Sequence, residues 1–126
     1  ACMCMFVWGP SWTMYGPEDM VRLTRAVTGW NISLEEILEI GERRLAMMRL
    51  FNAREGLDST QDTLPVKFLN QKLTGGNTDG LFVDEDEFNT ALKAYYKQSG
   101  WDEITGLPAK EKLTKLGLDI FSQEAM

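Results

Sequence analysis

Histidine is absent from all 126 residues. Without an imidazole the chain can form no Ser-His or Cys-His nucleophile and no His-ligated zinc site, and it lacks the commonest general base. Cysteine is nearly absent, with only Cys2 and Cys4, too few for a disulfide framework and too few alone for a zinc or iron–sulfur site. No apolar run reaches the roughly 18 residues that would span a bilayer, and no internal repeat or low-complexity tract occurs. Basic charge is also scarce: 13 Lys and Arg against 19 Asp and Glu leave a net charge of −6. That balance lacks the basic footprint of a nucleic-acid binder and would be repelled by an acidic membrane surface, so neither partner is expected.

What is present suffices for a folded body. Hydrophobic residues make up 44% and aromatics 10% of the chain, enough to offset the entropy of ordering a single helical domain over residues 1–126. The chain begins at Ala1 without a charged segment or the length of a signal peptide, which we read as a fragment. Residues 1–15 crowd Met3, Met5, Phe6, Val7, Trp8, Trp12, Met14 and Tyr15 among Gly9, Pro10 and Ser11. This segment is too apolar for a free tail and too broken for a regular element, so it is expected to be irregular and to lie on a surface.

Helix signals begin at Gly16-Pro17-Glu18-Asp19, where Pro17 suits the first helical position and the carboxylates face the positive end of the helix dipole. Met20, Leu23 and Val27 follow at helical spacing, and Gly29 supplies a left-handed terminus. A second start lies in Ser33-Leu34-Glu35-Glu36, where Ser33 and Glu36 form a capping box. From Leu34 to Arg54 the apolar arc is wide, which predicts a central helix packed on more than one side, with Gly41 permitting close approach of a neighbour. Gly56 ends this helix, and residues 57–80 read as a long irregular loop with short turns. A third helix starts at Asp84, with Glu87 closing the box, and runs to Ser99 before Gly100; Trp101 is expected to fold back. A short helix is predicted within 108–117, a short extended piece at Leu81-Phe82-Val83, and a frayed tail over 122–126. The fold class is therefore all-α, an orthogonal packing of three to four helices.

Three constellations invite a chemical reading. Asn77-Thr78-Asp79-Gly80 and the acids after it resemble a calcium loop, but with Gly80 at the sixth position the first is Gly75, which has no side-chain oxygen, and the twelfth is Asp86, shorter than the usual Glu. Glu35, Glu36, Glu39 and Glu42 share helix faces, yet no helix bears the matching carboxylates and histidines of a di-metal site, so they read as a solvated face with pairs such as Glu39 with Arg43. Arg54-Glu55 is readable either as a docking ion pair or as surface charge. Cys-X-Cys is too tight for a redox Cys-X-X-Cys motif, so on pattern alone Cys2 and Cys4 read as small buried hydrophobes or incidental thiols.

Taken in order, Thr28-Gly29-Trp30, Ile40-Gly41-Glu42-Arg43, Phe51-Asn52-Ala53-Arg54-Glu55-Gly56, Tyr95-Tyr96, Gly100-Trp101-Asp102, Gly106-Leu107-Pro108, Lys112-Leu113 and Leu116-Gly117-Leu118 form a series. That series resembles the carboxyl-terminal end of the tungsten-containing aldehyde ferredoxin oxidoreductase family over nearly the whole chain. The resemblance implies one helical domain of a longer enzyme in which a tungsten or molybdenum bis-pterin lies beside a 4Fe–4S cluster. The enzyme would oxidise aldehydes to carboxylic acids and pass electrons to ferredoxin, and a cytoplasmic location is expected. It further implies that Cys4, in Cys4-Met5-Phe6, is the fourth cluster ligand and Cys2 a non-ligand neighbour, which would make residues 1–15 cofactor-proximal. Met5 stands where the family carries Lys or Arg, and the family's Asp-Ser-Leu-Gly stretch has no counterpart before Cys4. One ligand cannot hold a cluster. The fragment alone is therefore expected to bind no cofactor and to be inactive, its partners being the missing amino-terminal domains, with self-association open to it. The competing expectation is a stand-alone, non-catalytic helical interaction module that binds a partner through the apolar segment from Met3 to Tyr15.

Overall fold

A computed structural model describes residues 15–121 of the chain. The expected irregular segment 1–15, apart from Tyr15, and the tail 122–126 lie outside the described residues. Among those described, the regular elements are five α-helices and three short 3₁₀ turns, an all-α architecture. No described helix is long and apolar enough to cross a membrane. The chain divides into two compact units, 1–45 and 46–126.

In the first unit, α1 (Pro17–Thr28) opens with Pro17 in its first turn, and the Asp19 carboxylate reaches back to accept from the Gly16 N–H at 2.9 Å. It closes at Gly29, which adopts φ 73 and donates its N–H to the Arg25 carbonyl. The next helix, α2 (Leu34–Arg54), starts with the expected capping box: the Glu36 N–H donates to Ser33 Oγ at 3.2 Å, and the Ser33 N–H donates to Glu36 Oε2 at 2.7 Å. Val21, Ile32 and Ile37 are buried together, with Met20, Leu34 and Ile40 packed against them. Arg25 Nε donates to the Ile32 carbonyl at 2.9 Å, tying the connecting segment to α1.

The second unit takes the rest of α2, which ends where Gly56 turns to φ 84 and the Leu57 N–H reaches the Asn52 carbonyl at 2.9 Å. The stretch read as a long loop holds a turn at Ser59–Gln61, the five-residue helix α3 (Val66–Asn70) and a turn at Gly76–Thr78. Leu69 is the buried anchor of α3. Residues 81–83 form no strand; the expected extended piece instead makes separate backbone bonds, from the Leu73 N–H to the Leu81 carbonyl and from the Val83 N–H to the Phe68 carbonyl. Asp84 caps α4 (Glu85–Ser99) by accepting from the N–H groups of Asp86 and Glu87, and Gly100 ends it at φ 71. Trp101 then folds back as expected, its N–H donating to the Tyr96 carbonyl at 2.9 Å and its backbone bridging Pro108. The last helix is α5 (Lys110–Lys115), followed by a turn at Asp119–Phe121. Ala46, Leu50, Leu113, Leu116 and Leu118 form the core, with Phe121 against it.

One packing expectation holds and one needs correction. The apolar arc of α2 is buried on more than one side, at Ile37 in one cluster and at Ala46 and Leu50 in the other, while Leu38, Leu45, Met47, Met48 and Phe51 remain 45 to 60% exposed. Among the described residues Gly41 serves no close approach, since a Cβ placed there would meet nothing within 4 Å. Both follow from helix periodicity, which marks a face as fit for burial without supplying the surface that buries it.

Candidate functional site

Cys4, the predicted cluster ligand, and its neighbour Cys2 lie outside the described residues. Among the described residues no group of three or more Cys, Asp or Glu side chains is placed to hold a metal ion. The acidic residues are engaged in local structure: Glu36 closes its capping box, Glu39 pairs with Arg43 at 3.0 Å, Asp79 accepts from the Gly75 N–H at 2.8 Å, and Asp84 caps α4. Arg54 and Glu55 pair at 3.3 Å with both side chains more than half exposed.

Polar chemistry in the second unit concentrates on Arg49. It lies on the buried side of α2 with Ala46 and Leu50, and its side chain is only 9% exposed. Nε donates to the Gly106 carbonyl at 2.8 Å, Nη1 donates to Asp62 Oδ1 at 3.0 Å, and Nη2 lies 2.5 Å from Asp62 Oδ2. The Tyr96 hydroxyl donates to the same Asp62 oxygen. The guanidinium carbon sits 5.9 Å from the ring centroids of both Tyr96 and Trp101, whose rings stack on each other, while Tyr95 meets Trp101 edge-on. A cation is thus buried with a counter-ion and two aromatic faces, the conditions under which its desolvation is compensated.

Gly106 makes this arrangement possible. Its φ of 67 is left-handed, and a Cβ there would fall 2.3 Å from Arg49 Nη2 and 2.8 Å from Tyr96 Cζ. The turn that presents its carbonyl is held by Asp102, whose carboxylate accepts from the Ile104 and Thr105 N–H groups. Those hydrogen bonds, with Thr105 contributing most, keep the Asp102 carboxyl below its usual range.

The protonation states are fixed around neutrality. Burial pushes the Tyr96 hydroxyl up to about 12, helped by its bond to the Asp62 carboxylate. Burial also opposes ionisation of Asp62, but the hydrogen bonds from Arg49 and Tyr96, together with the Arg49 charge, outweigh it and hold the carboxyl below its usual range. A permanently charged Arg, an ionised Asp and a neutral Tyr have no proton to exchange near pH 7. The cluster fastens segments that are far apart in sequence.

Sequence reading found Tyr96, Trp101 and Gly106 as motif members but missed Arg49 and Asp62. The available signal was an Arg amid the apolar positions of α2, where an exposed cation would disturb the stripe.

Two apolar concavities complete the second unit. One, of about 150 Å³, is lined by Met47, Leu50, Phe51, Arg54 and Phe121. The other is a groove of about 460 Å³ along α3 and residues 71–83.

Comparison with known proteins bears on what these surfaces serve. Residues 1–118 match the family described as aldehyde ferredoxin oxidoreductase, domains 2 & 3. The chain is 40% identical over 107 residues to a tungsten-containing aldehyde ferredoxin oxidoreductase of Pyrococcus horikoshii and 41% identical to that of Pyrococcus furiosus. In each case the match takes in 84% of this chain and spans 17% of the relative's length. A solved structure, the active site complex BamBC of benzoyl coenzyme A reductase with 1,5-dienoyl-CoA, shares the fold at a TM-score of 0.68 and 24% identity, covering 87% of this chain and 15% of that one.

Proposed function

The chain belongs to the aldehyde ferredoxin oxidoreductase family, and from this premise we propose that it acts as the carboxyl-terminal helical part of a longer tungsten or molybdenum enzyme. That enzyme would oxidise aldehydes to carboxylic acids in the cytoplasm and deliver the electrons to ferredoxin. The observation that carries the reading is the identity of about 40% spread over 84% of the chain but only 17% of relatives named as tungsten-containing oxidoreductases. Its principal partner would be the amino-terminal remainder of the same longer chain.

A bis-pterin and a 4Fe–4S cluster would supply the redox chemistry of the full enzyme. Among the described residues no group of three or more Cys, Asp or Glu side chains could hold a metal ion. The work of the described residues in this reading is architectural: Arg49 ties its helix to the Gly106 carbonyl and to Asp62, and Asp62 holds Tyr96 of α4 at the same point. Cys4 is proposed as the fourth cluster thiolate, with the other three supplied upstream. In this reading residues 1–126 alone neither bind cofactor nor turn over.

The experiment is Cys4→Ser in the full-length enzyme, read by iron and acid-labile sulfide content and by the cluster absorption. Loss of the 4Fe–4S signal is expected, and an undiminished signal would overturn the assignment of Cys4. For the enzyme as a whole, aldehyde-dependent reduction of a viologen dye by the full-length protein is expected. A reading frame that starts immediately before Ala1 would instead favour the stand-alone interaction module.

A further inference from the structure

We draw no further inference here: the strongest candidate, the apolar concavity on α2 lined by Met47, Leu50, Phe51, Arg54 and Phe121, carries none because nothing in the structure shows what covers it.

Discussion

Replacing Asp62 by Ala removes the counter-ion of a cation whose side chain is 9% exposed. The Arg49 guanidinium would keep its bond to the Gly106 carbonyl but lose both contacts to the carboxylate, and the Tyr96 hydroxyl would lose its acceptor. Breaking a fully buried ion pair from one side costs about 3 to 5 kcal/mol. Asp62 is 29% exposed, so water can partly replace the carboxylate, which places the ion-pair loss near the lower bound, at about 3 kcal/mol. The stranded Tyr96 hydroxyl adds roughly 1 kcal/mol. A total of about 3 to 4 kcal/mol is a large share of the stability of a domain this size. Urea denaturation followed by circular dichroism would show it as a lower midpoint at unchanged slope. The decisive measurement is a double-mutant cycle: Arg49→Met with Asp62→Leu should be markedly less destabilising than the two single changes summed, because the double variant leaves no buried charge. An Asp62→Ala midpoint within about 0.5 kcal/mol of wild type, or strict additivity in the cycle, would refute the clamp.

Other outcomes follow from the same geometry. Gly106→Ala should cost about 2 to 5 kcal/mol, combining a left-handed backbone with a Cβ driven into Arg49 and Tyr96, and a melting temperature near wild type would contradict it. Trp101→Ala, which removes one of the two stacked rings beside the guanidinium, should lower stability by roughly 3 kcal/mol, checked by the same urea titration. Tyr96 titrates at about 12 in the folded chain against an ordinary value of 10.0, so the folded state retains a proton that the unfolded state gives up. Stability should hold below pH 10 and fall as the pH rises toward 12, and Tyr96→Phe should flatten that limb. Asp62 behaves oppositely, its depressed folded value contributing stability that is lost as the pH falls below 3.8 through the folded value. Asp62→Asn should weaken that acid limb in a pH series of melting curves.

The helix boundaries were legible because they are set by chemistry within four residues. Pro17 fixes the first turn of α1 while Asp19 accepts from the Gly16 N–H, Ser33 and Asp84 accept from first-turn N–H groups of the helices that follow them, and Gly29, Gly56 and Gly100 adopt left-handed backbone where helices stop. The α3 helix reads as loop in sequence because five residues carry too little periodicity, and Leu69 is its buried residue. Leu81, Phe82 and Val83 looked like a strand by β-propensity, but they gain only single backbone bonds and no ladder. The family was legible from ordered motifs, whereas the proposed ligand Cys4 lies outside the described residues.

By itself the sequence determined the helical class, the ends of the main helices, the family, and the exclusion of histidine chemistry. Each rests on composition or on contacts between near neighbours in the chain. Tertiary structure alone decided that Arg49 is a buried clamp rather than one more surface cation of α2, and that Gly106 matters for the space it leaves as well as for its turn. Their bond joins residues 57 apart, and the Tyr96 bond to Asp62 joins residues 34 apart. Side-chain pattern specifies which face of a helix can be buried, but which charge meets which partner depends on where the folded backbone brings distant segments together.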